Sequence, residues 1–268
     1  MPVLSRGALQ IDHTDDGQGE LVILIHSSVS ANRQWRALTE ALKDRHRVLA
    51  VNLFGYGETT PWPGTSPQSL YAQAQLIVAL CDGLGAPVHL VGHSFGGCVA
   101  LKAAMLLGSR MGRPVLLEPN PFYLLRQHER LAAFLESRRL RDHVKCFGSL
   151  GEWSKVAEVF ADYWLGDGTW AAMPEKRRIT FAQSLPPNFH EWDAVMDEQS
   201  TVADLKALSA KTFVLSDAAT RRPIVEIVEI LRQACPHWEF HRIPEGGHMA
   251  PLTRPDLVNP IVTRLLQS

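Results

Sequence analysis

Gly92-His93-Ser94-Phe95-Gly96 places one serine between glycines two positions away on either side. A strand-like, mostly apolar segment, Val88 to Val91, leads into it, and a small-residue helical stretch, 98–107, follows. This G-x-S-x-G spacing suits a turn so tight that the serine backbone is strained and its Oγ stands above the end of a strand. A serine hydroxyl attacks a carbonyl carbon only when a base takes its proton and donors hold the oxyanion that forms. The N–H of Phe95 opens the following helix and points where an oxyanion would develop, aided by the helix's positive end. For the base, the best-placed histidine is His248, which follows Gly246-Gly247 in a loop after an expected strand. His93 and His26 are read as structural, because neighbours of the elbow serine leave the turn in other directions. A phosphate-binding reading of the glycines would need a Lys-Ser/Thr pair after them, and none is there.

Strands and helices must carry these groups to one edge. Leu21-Val22-Ile23-Leu24-Ile25 is an unbroken apolar run, the pattern of a parallel strand covered on both faces. Strands are expected at 6–12, 21–25, 46–51, 88–91, 114–117, 212–215 and 238–243, with a turn at 15–19. Helices are expected carrying Trp35, Leu38 and Leu42, over 68–83, 98–107 and about 224–234, and from about 255, and the Gly- and Pro-rich stretch 55–67 reads as loop. Such alternation predicts an α/β fold, a mostly parallel central sheet flanked by helices. It stops between 119 and 205, where helix-like segments, several prolines and Trp153, Trp164, Trp170 and Trp192 occur. That stretch is expected to be a helical cap inserted between two strands of a core made of 1–118 and 206–268.

In this order of motifs the chain resembles the α/β-hydrolase superfamily, its serine-nucleophile, esterase-like branch, over nearly its whole length. The family's His-Gly-x oxyanion loop with a later Trp is matched by His26-Ser27-Ser28 and Trp35. Asn52-Leu53-Phe54-Gly55-Tyr56-Gly57 stands for its Asp-x-x-Gly-x-Gly loop, and Glu245-Gly246-Gly247-His248 for its C-terminal histidine loop. The resemblance implies a second oxyanion donor at the backbone N–H of Ser28, with Ser27 where glycine is usual. It also implies an acid that orients the histidine. Many relatives carry that acid four residues before a proline after the strand at 212–215, but counting back from Pro223 reaches Ala219. Two carboxylates remain. Glu118 ends the strand at 114–117, a position some members of the superfamily use, and is preferred. Asp217, two residues early in the other register, is the alternative.

The implied activity is hydrolysis of a carboxylic ester or lactone through an acyl-serine intermediate. Perhydrolysis, C–C bond cleavage and acyl transfer share the same residues, and a ligand-binding receptor on this fold is the non-enzymatic alternative. Ser94 excludes the mechanisms of relatives that use an Asp nucleophile. The aromatic residues of the cap suggest a small-molecule, partly apolar substrate, with Tyr123 and Trp170 as expected pocket residues. No cofactor and no metal are expected, since no His, Cys, Asp or Glu cluster has ligand spacing. A formal net charge of -1 without long single-sign runs gives no reason to expect nucleic acid or a membrane as partner. Met1 to Gln10 lacks the apolar stretch of a signal peptide. Cys81, Cys98, Cys146 and Cys235 are spaced as reduced, mostly buried thiols, which fits a cytoplasmic protein.

Overall fold

The computed structural model describes residues 2–64, 66–85 and 87–267. Thr65, within the expected loop 55–67, lies outside the described residues. Eight strands, β1 (Val3–Arg6), β2 (Leu9–Asp16), β3 (Glu20–Ile25), β4 (His46–Val51), β5 (Val88–His93), β6 (Met111–Leu117), β7 (Phe213–Ser216) and β8 (Glu239–Arg242), form one sheet. Its order is β1-β2-β4-β3-β5-β6-β7-β8. From β4 to β8 every pairing is parallel, and β2 pairs antiparallel with both β1 and β4. The single strand expected at 6–12 is instead a hairpin that turns at Gly7, whose φ of 61° suits a residue without a Cβ. The expected turn at 15–19 begins later, because Asp15 and Asp16 still pair with Leu49 and Val48.

Alternate residues of the central strands feed two cores. Leu21, Ile23, Ile25, Leu49 and Val51 pack on one face with α2 (Leu70–Leu80) and α3 (Phe95–Leu107), while Val22, Leu24, Val48 and Ala50 pack on the other. There they meet Leu38 and Leu42 of α1 (Arg36–Leu42) and Val258, Val262 and Leu266 of the C-terminal helix. Burial on both faces is why these strands read as unbroken apolar runs.

After β6 the chain leaves the sheet for seven helices. They are α4 (Tyr123–Gln127), α5 (Leu131–Ser149), α6 (Trp153–Leu165), α7 (Thr169–Ala172), α8 (Glu175–Gln183), α9 (Pro186–Met196) and α10 (Val202–Lys206). It returns through β7, α11 (Arg222–Ala234), β8, α12 (Ala250–Thr253) and α13 (Pro255–Gln267). No helix among the described residues is long and apolar enough to cross a membrane. Cys81, Cys98 and Cys235 are buried free thiols, and Cys146 is exposed.

Candidate active site

The elbow between β5 and α3 shows why its residue types are needed. Ser94 has φ 54° and ψ −117°, outside the regions L-residues favour. The chain is held there by the Ser94 N–H, which donates to the Leu117 carbonyl at 2.8 Å, and by the N–H groups of Gly97 and Cys98, which donate to the Ser94 carbonyl. A Cβ on Gly92 would lie 2.3 Å from the Gly96 carbonyl oxygen, and one on Gly96 would lie 2.3 Å from that of Ile25. No side chain fits at either position without moving backbone. Strain at Ser94 and close approach at both glycines are thus one arrangement.

His248 sits in a short 3-10 turn, Gly247–Met249, after β8. Gly246 and Gly247 precede it with φ of 109° and 58°. The Ser94 hydroxyl and His248 Nε2 are 2.9 Å apart. Glu118 Oε2 lies 3.3 Å from His248 Nδ1. A carboxylate facing Nδ1 places the ring proton there and leaves Nε2 free to accept from the serine. Glu118 is fully buried, has φ 49°, and its N–H donates to the Leu215 carbonyl at 2.9 Å. Its Oε1 accepts from the Asp217 N–H and its Oε2 from the Thr220 hydroxyl, both at 2.6 Å.

Asp217 has other partners. Its Oδ2 accepts from the Gly247 N–H at 2.8 Å, and its Oδ1 from the Ala219 N–H at 2.9 Å. It braces the backbone of the histidine loop, whereas Glu118 meets the imidazole itself.

The two other histidines near the elbow are doubly bonded. His93 Nε2 donates to the His248 carbonyl at 2.8 Å, so its Nδ1, 3.0 Å from Gln34 Nε2, accepts from that amide. Gln34 Oε1 accepts from both the N–H and the hydroxyl of Ser27 at 3.1 Å. Ser27 therefore ties the loop after β3 through Gln34 and His93 to the backbone of His248. His26 Nδ1 donates to the Ser27 carbonyl and its Nε2 accepts from the Leu53 N–H. Burial pushes its pKa down to about 4, and burial likewise holds His93 well below the ordinary histidine value.

A cavity opens over Ser94 and His248, and both Phe95 and Ser28 line it. Its remaining walls come largely from the segment between β6 and β7. Phe122 stacks on Trp192 at 5.6 Å between ring centroids, and Phe160, Trp164 and Phe181 add aromatic surface. Tyr123 and Trp170, the expected pocket residues, do not line this cavity. Tyr123 is buried in the core behind it, because successive residues entering α4 project in different directions and Phe122 takes the cavity side. Trp170, on the short α7, instead lies under the Arg178 guanidinium, 5.7 Å from the ring centroid.

Sequence reasoning overlooked Glu191 and Asn188. Both are buried lining residues of α9. Glu191 Oε2 accepts from Asn188 Nδ2 at 3.0 Å, and Asn188 Oδ1 accepts from Trp192 Nε1 at 3.0 Å. Burial raises the pKa of Glu191, although the hydroxyls of Ser28 and Tyr56 face the carboxyl and favour its charged form. Positions 188, 191, 192 and 195 follow the i, i+3, i+4, i+7 spacing of one helix face, a signal present in the sequence. Nothing in the sequence says that this face covers a cavity. Among the described residues no group of three or more His, Cys, Asp or Glu could hold a metal ion.

Comparison with known proteins agrees with this architecture. The chain is 29% identical over 267 residues to lipase LipV of Mycobacterium tuberculosis, covering 90% of this chain and 91% of the lipase. A 2-hydroxy-6-oxo-2,4-heptadienoate hydrolase of Pseudomonas putida is 32% identical over 119 residues, 41% of each chain. The structure superposes on a thermophilic esterase from Thermogutta terrifontis with a TM-score of 0.75 at 24% identity, covering 97% of this chain and 93% of the esterase. A model of the alpha/beta hydrolase family matches residues 22–261. With its mostly parallel eight-stranded sheet, elbow serine and inserted helices, the chain belongs to the α/β hydrolase family.

Proposed function

We propose that the protein hydrolyses carboxylic esters or lactones through an acyl-Ser94 intermediate. The observation that carries this reading is the continuous line from Ser94 Oγ to His248 Nε2 at 2.9 Å and from His248 Nδ1 to Glu118 Oε2 at 3.3 Å. As Oγ attacks the carbonyl carbon, Nε2 takes its proton, and the N–H groups of Phe95 and Ser28 receive the oxyanion. Collapse of the tetrahedral intermediate returns the proton from His248 to the leaving alcohol. A water then gives its proton to Nε2 and attacks the acyl carbon, which releases the acid and restores the Ser94 hydroxyl. Glu118 holds the imidazole in the required tautomer and stabilises the imidazolium without taking its proton. Residues 119–205 act as the cap that shapes the substrate pocket, whose aromatic lining suits a partly apolar acyl group.

The Pseudomonas putida relative brings C–C bond cleavage into view as a second reading, since the same serine and histidine serve both chemistries. A panel of chromogenic acyl esters, lactones and a vinylogous diketone separates them. The expected result is turnover of the esters or lactones, with a fluorophosphonate adding its mass to the peptide that contains Ser94. Labelling of Ser94 with turnover confined to the diketone would select C–C cleavage, and absence of labelling and of all turnover would refute both.

A further inference from the structure

The imidazole of His248 is engaged along its edge by Ser94 and Glu118, and one ring face meets the cap. Trp164 of α6 stacks on it with ring centroids 4.1 Å apart and planes inclined by 30°. The indole also lines the cavity, so it separates the imidazole from part of the solvent. A half-buried residue on an inserted helix needs support to hold such a contact, and α6 has it from both sides. Tyr163 packs edge-on against the Trp164 indole at 4.7 Å and donates its hydroxyl to Glu136 Oε1 at 2.7 Å. From the core, the Arg221 guanidinium lies 4.8 Å from the Tyr163 ring centroid and donates to the Asp162 carbonyl at 3.2 Å. Arg221 directly follows Thr220, the residue that donates to Glu118. The same loop thus anchors the acid and clamps the helix that carries the indole.

An indole face attracts a cation but has little electrostatic preference for a neutral ring. His248 is neutral while it awaits the serine proton and cationic once it holds it. We propose that Trp164 stabilises the imidazolium that forms on His248 during acyl transfer, so that the cap contributes to the rate as well as to the shape of the pocket. The proposal rests on Ser94–His248 acyl transfer as described above. An interaction that exists only when the imidazole is charged lowers the barrier without tightening substrate binding, so its loss reduces kcat and leaves KM nearly unchanged. A wall residue acting by shape alone would instead alter KM and acyl preference. Acylation and deacylation both pass through the imidazolium, so either slow step reports it. The other nearby ring, His93, is kept neutral by burial, which outweighs the opposite pull of its donated bond to the His248 carbonyl, and so adds no competing charge.

The test replaces Trp164 alone with tryptophans carrying one to four ring fluorines, which weaken the negative π-face with little change of shape. Trp164→Leu completes the series, and short acetyl esters are the substrate so that pocket fit matters least. The expected result is a stepwise fall in kcat and kcat/KM that reaches roughly 2- to 30-fold at the end of the series, with KM within about twofold. Thermal midpoints of the fluorinated proteins should match the parent. A flat kcat across the fluorinated series, with loss only in the folding-compromised Leu variant, overturns the proposal while phosphonate labelling of Ser94 keeps the acyl-enzyme reading intact. Failure of the parent protein to label or turn over overturns both.

Discussion

The two sides of the cavity are built by different means. On the sheet side, each functional group is fixed by backbone: a strained Ser94 whose N–H bonds to β6, and a strained Glu118 whose N–H bonds to β7. The His248 loop is gripped there through the Gly247 N–H and the His248 carbonyl. On the cap side, positions are fixed by side-chain packing, through the Phe122–Trp192 stack, the Trp164–His248 contact and the Trp192–Asn188–Glu191 chain. Backbone hydrogen bonds set atoms to a few tenths of an ångström, as chemistry at a carbonyl requires. Packed side chains define a shape that substitution can change without unravelling the sheet. Chemistry is therefore expected to be lost by changes on the sheet side, and selectivity to be moved by changes on the cap side.

The largest effect expected is from Ser94→Ala. Removing the nucleophile should cost about 10⁶-fold in kcat, as removal of a serine nucleophile does elsewhere, and abolish phosphonate labelling, with the fold unchanged by circular dichroism. Substantial ester turnover by the purified variant would remove Ser94 from the reaction. Next come the two acids. Glu118→Gln keeps the size of the side chain but removes the charge facing His248 Nδ1, and should lower kcat by about 10⁴-fold. Asp217→Asn keeps an oxygen for the Gly247 N–H and should cost only about tenfold, through looser placement of the histidine loop. If Asp217→Asn proves the crippled variant, the two roles are reversed.

A smaller, selective effect is expected across the cap. Phe122→Ala and Trp192→Ala remove aromatic wall and enlarge the cavity, and should shift kcat/KM between short and long acyl esters by roughly tenfold. Tyr123→Ala should lower stability, by about 3–5 kcal/mol for an aromatic core residue, without changing that ratio. Parallel chain-length profiles for all three would mean that the aromatic wall does not face the acyl group.

The same contrast governs what could be read from sequence. The sheet side was legible because its demands fall on residue types at fixed spacing. Gly92 and Gly96 are dictated by carbonyl oxygens 2.3 Å from any added Cβ, and the buried strands by apolar runs. Glu118 was visible as a carboxylate ending a strand beside the elbow strand, and the structure brings it to His248. The N-terminal hairpin was missed because Gly7 alone marks its turn. On the cap side, residue type points to Tyr123 and Trp170, and neither lines the cavity. Choosing Phe122 over Tyr123, or Trp164 and Trp192 over Trp170, requires the packing angle of each helix on the core, which no local pattern encodes. Glu191 is hidden for the same reason, since a glutamate on a helix reads as solvated until the face that helix buries is known.

The last effect expected is on the pH dependence of stability, and here the two sides should differ in sign. His26, at the end of β3 on the sheet side, has its pKa pushed down to about 4 by burial, with 6.5 as its ordinary value. Between those values the unfolded chain binds a proton that the folded chain refuses, so stability is full above pH 6.5 and is lost as pH falls toward 4. The displacement corresponds to at most about 3 kcal/mol. Glu191, on the cap side, has its pKa raised by burial. The folded chain then keeps a proton that the unfolded chain releases, so its contribution is full below the ordinary carboxylate value of 4.5 and is lost as pH rises through the raised one. Urea midpoints followed from pH 4.5 to 8 separate the two. His26→Asn should flatten the loss of stability on the acid side, and Glu191→Gln, which keeps the bond from Asn188, should flatten the loss on the alkaline side. If His26→Asn leaves the acid-side slope unchanged, the imidazole is not the group that refuses the proton. An unchanged alkaline side in Glu191→Gln would mean that the hydroxyls of Ser28 and Tyr56 compensate burial fully, so that the cap wall presents a carboxylate as readily ionised as one in water.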